Sequence, residues 1–353
     1  MSETASPPPD GRWKERPEGS NWGDFGPDDE VGRLNLITPE RRRAAVAEVR
    51  EGLAFCLSLP LDCPAVQINP RRFAPEFSFS MRGDDPAMNY PYGQMFPGVK
   101  DVVCDDRVLL TLQYSTQWDG LCHMGFLYDG TASGEEQATY YNGFRAHDHV
   151  CGPFDYLHGR EAKAGPFGAR RLGIQAYAET GLQGRGVMVD FHAHVGLDKV
   201  AIGYDRLMRI FEADGVEIEP GDIMCMRTGF DRALLAQYED RSVGFDPHCV
   251  SGLDGFDDRL LQWIEDSGVA ALVSDNEAVE MMPDFKTTSA HGSAVPLHNK
   301  CLFKLGIPLG EMFLLSDLAD WLRGAGRNRF LFTAPPLRLP GAVGSPVTGV
   351  GTV

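Results

Sequence analysis

Apolar positions change their rhythm near the middle of the chain. From Ala54 to about Leu112 they come in short runs, among them Phe55 to Leu61 and Val102 to Leu112, broken by Pro, Gly and Asp. Such a pattern predicts strands and loops. The stretch from Phe73 to Lys100 reads as a long loop rich in Pro, Met, Tyr and Phe, of a length commonly used for lids or subunit contacts. Upstream, Thr38 as N-cap and Pro39 at the first helical position predict a helix running through Val49 and ending before Gly52. Further along, helical patterns alternate with apolar runs. Predicted helices cover Gly173 to Thr180, Tyr204 to Asp214, Asp257 to Asp266 and Leu297 to Leu305, the last stopped by Gly306 and Pro308. Predicted strands cover Gly186 to Phe191, Ile223 to Arg227, Val269 to Ser274, Met312 to Leu315 and, as the last one, Phe330 to Phe332. Helices alternating with continuously apolar strands imply an α/β fold whose sheet is buried.

Residues 1–20 carry little apolar surface and read as a disordered tail. Beyond residue 20 there is neither a Pro/Ser/Gly linker nor an internal repeat, so residues 21–353 are expected to form one domain with an N-terminal arm. The 353 residues are 43% hydrophobic, ample for a large core. A formal net charge of −17 argues against nucleic acid or an anionic membrane as partner and favours a small molecule. Eight cysteines are scattered without a C-x-x-C pair, which fits reduced thiols in a cytoplasmic protein. Met1 to Asp10 lacks the apolar core of a signal peptide, and no run approaches the roughly 18 to 20 apolar residues of a membrane span.

Candidate chemistry gathers in Gln113-Tyr114-Ser115-Thr116-Gln117-Trp118-Asp119-Gly120-Leu121-Cys122-His123. If the segment is extended, Gln113, Ser115, Gln117 and Asp119 share one polar face. Following the apolar run Val108-Leu109-Leu110, that strand is expected to be interior, where an ionised Asp requires a partner or a metal. His123 can fold back past Gly120 towards Asp119. The competing reading is an internal hydrogen-bond network or a strand facing water. A hydrolytic metal site needs about three N/O ligands and an open position. His298, at a helix start, and Glu311, just before the strand Met312 to Leu315, can complete one with Asp119 and His123, although taken singly His298 is more often a helix-surface residue and Glu311 a solvated strand end. His192 and His194 lack a carboxylate at ligand spacing, and His147 and His149 lie in a polar loop. His291, in a loop between Ala290 and Gly292, is a candidate substrate contact. Nucleophile-elbow and phosphate-loop signatures are missing, and adjacent Cys122 and His123 make a poor catalytic pair.

The central stretch resembles the signature of the cyclase superfamily, which includes bacterial kynurenine formamidase and isatin hydrolase and is written H-x-G-T-H-x-D-x-P-x-H. Gln113 stands at the first His and Ser115 at the Gly, while Thr116 matches the Thr. Gln117 takes the second His, Asp119 matches the Asp, Leu121 replaces the Pro and His123 matches the last His. The N-terminal arm, with Asn21-Trp22-Gly23 and Leu34-Asn35-Leu36-Ile37-Thr38-Pro39, is similar to that of the longer branch of the superfamily. So are Gly184-Arg185-Gly186-Val187, Pro220-Gly221-Asp222 with Arg227-Thr228-Gly229, and Ser274-Asp275-Asn276 with Glu280. Towards the C-terminus, His298 with Gly306-Ile307-Pro308-Leu309-Gly310-Glu311, Ala334-Pro335-Pro336-Leu337 and Gly344-Ser345-Pro346 extend the likeness.

This resemblance implies a swivelling β/β/α-type fold, a homo-oligomer, and a metal-dependent hydrolase opening an amide, cyclic amide, formamide or lactone bond. It implies one or two metals, commonly Zn or Mn, and the expectation here is one divalent ion, Mn or Zn, held by Asp119 with some of His123, His298, Glu311 and Gln117. Asp119, His123 and His298 are then the expected catalytic groups, and Gln113, Trp118, Tyr90, Tyr92, Phe96 and His291 the expected substrate contacts. Gln at both leading positions departs from the signature, because a neutral amide oxygen is a weak ligand that suits hard cations better than Zn. Two alternatives follow from the same residues. One is a metal-free acid/base cyclase or dehydratase using Asp119 and His123; the other is a catalytically silent relative that binds a small ligand.

Overall fold

The structure is a computed structural model that describes residues 6–244, 246, 250–282 and 292–353. Its centre is a curled mixed sheet. In chain order the strands are β1 (Ala54–Cys56), β2 (Gln117–Asp119), β3 (Gln183–Asp190), β4 (Ile223–Arg227), β5 (Ala271–Ser274), β6 (Leu309–Glu311), β7 (Arg329–Thr333), β8 (Gly344–Pro346) and β9 (Val350–Thr352). Across the sheet they lie in the order β1-β9-β7-β3-β4-β5-β6-β2-β8. The stretch β3-β4-β5-β6 is parallel, and β2 runs antiparallel to both β6 and β8.

β3, β4 and β5 are almost wholly buried, as the apolar runs Val187 to Val189, Ile223 to Met226 and Ala271 to Val273 predict. Helices supply the cover. The helix Tyr204–Asp214 turns Leu207, Ile210 and Phe211 inward, and Asp258–Ser267 turns Leu260 and Ile264 inward. Between the two, Phe211 meets Trp263 edge-on with ring centroids 5.5 Å apart. Thr38 caps the helix Pro39–Val46 by accepting the N–H of Arg41, as predicted, although the helix stops three residues sooner. Asp275, at the end of β5, accepts the N–H groups of Thr228 and Gly229 and the Thr228 hydroxyl. The Arg227-Thr228-Gly229 motif therefore locks the ends of β4 and β5 together.

Several expectations need correction. Residues 112–116 form turns and bends, and only Gln117–Asp119 are strand. The run Val108 to Leu110 does not lead into the interior: it belongs to an exposed hairpin in which Asp106–Leu109 pairs with Glu76–Phe79, and Leu109 is 71% exposed. Apolar sequence thus misled where a two-stranded arm projects from the body. Glu311 lies within β6, not ahead of a strand at Met312 to Leu315. Phe330 to Phe332 is followed by two further strands, β8 and β9, whose Gly and Pro content hid them. Pro8, Arg12 and Trp13 are buried rather than part of a tail; Arg12 Nε donates to the Asn142 carbonyl and Trp13 packs against Trp22.

Candidate metal centre

Strand pairing sets the site. In the β2/β6 register Glu311 lies opposite Gln117 and Leu309 opposite Asp119. Alternation then puts Gln117, Asp119 and Glu311 on one face, and Gln117 Nε2 donates to Glu311 Oε2 at 2.7 Å. The other face is apolar. Trp118 points there, fully buried between Phe313 and Phe332 with its indole N–H on the Ala334 carbonyl. Trp118 is therefore a core residue and not a pocket wall.

His298 reaches the same face from a helix that begins at Pro296 and widens into a π-helix over Asn299–Leu305. Its orientation is dictated by Glu280. One carboxylate oxygen of Glu280 accepts both the backbone N–H of His298 at 3.0 Å and its ring Nδ1–H at 2.6 Å, and the other accepts the Leu297 N–H. A carboxylate acceptor fixes the proton on Nδ1 and leaves Nε2 facing Glu311 Oε1 at 3.4 Å. Gly255 sits behind Glu280, where any Cβ would collide with that carboxylate.

Asp119, His298 and Glu311 bring one ligand atom each within 4.8 Å of one another, all buried. Both oxygens of Asp119 and the Oε1 of Gln117 are buried without a hydrogen-bond partner. Buried polar groups are nearly always paired, so three bare oxygens in one place point to a cation. Burial and then the neighbouring Asp119 push the Glu311 carboxyl up in pKa. His298 is pushed up to about 10; burial opposes its charge, but hydrogen bonds to Glu280 and Glu311 outweigh it. The donor set of two carboxylates and one imidazole, with Gln117 alongside, fits a divalent ion with a position left open.

Strain marks the same place. Val279 and Met312 hold φ of +58° and +55°, each beside a site carboxylate, Glu280 or Glu311. A β-branched residue in that region is a real outlier, costing about 1–3 kcal/mol and typical of functional sites.

The remaining candidates fall at different distances. His123 Nε2 is 3.4 Å from Asp119 Oδ2, at the rim of the cluster. Gln113 lies over β8, where a Cβ on Gly344 would come within 2.6 Å of its amide nitrogen. Tyr90 and Tyr92 stack on Arg82 in the projecting arm, and Phe96, next to Tyr92, is 56% exposed. His291 lies outside the described residues. Sequence reasoning missed two residues as site members. Glu280 has only a position in an interior motif to betray it, and Arg72, whose Nη1 is 3.8 Å from Glu311 Oε2, has no signal at all.

A family model for cyclases matches residues 56–281, a span that contains Asp119, His123 and Glu280. The chain belongs to the cyclase family. Among solved structures it is similar to one described as a novel cyclase, at 28% identity and a TM-score of 0.69, covering 95% of this chain and 100% of the other. It also shares its fold with isatin hydrolase A from Labrenzia aggregata, at 12% identity and TM-score 0.51, covering 87% of this chain and 94% of that one. Isatin hydrolase A from Ralstonia solanacearum matches at 13% identity and TM-score 0.51, with 88% and 94% covered. No curated protein matches the cyclase-family chain. No helix among the described residues is long and apolar enough to cross a membrane.

Proposed function

We propose that this cyclase-family protein is a metal-dependent hydrolase that opens an amide, cyclic amide or imide, formamide or lactone bond of a small molecule. The observation that carries the reading is the bare, buried carboxylate of Asp119 facing His298 and Glu311. One divalent ion, Mn or Zn, would be held by Asp119, His298 and Glu311. Bound there it supplies Lewis acidity, which lowers the pKa of water from 15.7 towards about 7.

The chain's own groups do the rest. Glu280 keeps a His298 proton on Nδ1, so that Nε2, once its own proton is displaced, presents a lone pair to the centre. Gln117 spends its N–H on Glu311 Oε2, which leaves Oε1 on the His298 side. His123, at the rim and partly exposed, accepts a proton from the attacking water and returns it to the leaving nitrogen or oxygen. The structures that share the fold include isatin hydrolases, and the substrate class is extended from that name to this chain. A homo-oligomer is inferred as well, supported by the projecting arm, which exposes Phe77, Phe79, Met81 and Leu109; light scattering on the purified protein tests it.

The 3.4 Å approach of His123 to Asp119 also favours a second reading, a metal-free acid/base pair. Metal analysis of protein purified without chelator, with turnover measured on formamides, lactones and cyclic imides, decides between them. Stoichiometric metal and chelator-sensitive turnover are expected; turnover that survives chelation would replace the first reading by the second.

A further inference from the structure

Arg72 stands beside the centre with its donors unused. Its Nη1 is 3.8 Å from Glu311 Oε2, beyond hydrogen-bond range, and among the described residues its guanidinium donates no hydrogen bond. The backbone that delivers it is heavily fastened. Arg72 N–H bonds to the Asn69 carbonyl, Gln67 caps the Arg72 carbonyl, and Phe73 N–H bonds to Thr111 Oγ1. Tyr114 and Ser115 donate to the carbonyls of Pro64 and Pro60. The loop is therefore stitched to the turn that leads into Gln117 and Asp119, so the guanidinium is placed relative to the centre.

Glu311 separates two environments. Its Oε1 faces His298, while Oε2 faces Gln117 and Arg72. Arg72 also lines a small open cleft with Ile68, Asn69, Gln113, Tyr114 and Glu277, whose walls mix polar and apolar groups. A planar fork of N–H groups lining such a cleft, beside the centre, suits a carboxylate.

We infer that Arg72 is the specificity residue that receives the carboxylate formed at the substrate's acyl carbon, an inference that rests on the hydrolase reading. In amide opening the oxygen of water joins the acyl carbon, and the acyl–nitrogen bond breaks with its electron pair going to nitrogen. Both protons of the water go to the amine, so the acyl product is a carboxylate. Arg72 donates its N–H groups to the oxygens of that group as their negative charge grows and holds the carboxylate once the carbon–nitrogen bond has broken.

The test is calorimetric binding of benzoate, with benzamide as its neutral counterpart, to the Mn-loaded full chain. Wild-type protein is expected to bind benzoate at least about tenfold more tightly than benzamide. Arg72→Met brings the two affinities together with metal content and melting temperature unchanged, and Arg72→Lys retains part of the preference. A benzoate preference that persists in Arg72→Met, or wild-type protein that shows none, overturns the assignment. Failure of the hydrolase reading looks different: no chelator-sensitive turnover, while the benzoate preference still depends on Arg72.

Discussion

Glu280 grips His298 twice, through the ring Nδ1–H at 2.6 Å and the backbone N–H at 3.0 Å. The imidazole is thereby aimed before any ligand arrives. Glu280→Gln keeps the shape and loses the charge, and it leaves the Nδ1 proton without its strong acceptor. Metal affinity is expected to fall about 10- to 100-fold with little change in fold, measured by competition against a chromophoric chelator. Unchanged affinity would show that the ring needs no such support.

The charge on His298 sets a pH dependence. In the metal-free folded protein its pKa is about 10, against an ordinary 6.5. A raised folded pKa stabilises fully below about 6.5, and that contribution is lost as pH rises through about 10. Thermal unfolding of metal-free protein should therefore show stability declining from pH 6.5 to 10, a decline that His298→Gln removes. Because an ion and a proton compete for Nε2, apparent metal affinity should climb over the same interval.

Asp119 presents the opposite balance. A buried carboxylate with no hydrogen-bond partner destabilises the metal-free fold. Asp119→Asn is expected to raise metal-free stability by about 1–3 kcal/mol in denaturant titration while abolishing metal binding and turnover. Loss of stability in this variant would mean that Asp119 is satisfied in the resting protein.

His123 should separate metal binding from catalysis. It sits at the rim rather than in the three-residue cluster. His123→Ala is expected to lower kcat about 10²- to 10⁴-fold with metal content retained; parallel loss of metal would make His123 a ligand instead.

Much of the scaffold was legible in the sequence because its physics is local. The helix Tyr204–Asp214 and the strand Ile223–Arg227 fall where periodicity places them. Asp119, His123, His298 and Glu311 could be named in advance, since ionisable residues beside apolar runs need a reason to be there, and the fold does bring them together. The exposed hairpin at Asp106–Leu109 could not be read, because an apolar run that projects from the body looks the same as one that lines a core. Likewise, nothing local distinguishes Arg72 from any other surface arginine. Its meaning comes from a loop fastened to residues some forty positions away, as in the bond of Phe73 N–H to Thr111. Trp118 failed for a simpler reason: its neighbours in sequence are site residues, and alternation turns it the other way.

The strand bearing Asp119 acquires its flanking partners late. Glu311 comes from β6 and the opposite edge from Gly344–Pro346, with Gly120 N–H bonded to the Val343 carbonyl. A ribosome making this polypeptide exposes Gln117 and Asp119 long before either neighbour exists, so a nascent chain has no cage to offer an ion. On the metal-dependent reading, loading would wait for β6 to pair with β2, and a truncation before Val343 would leave the other edge of the Asp119 strand unpaired.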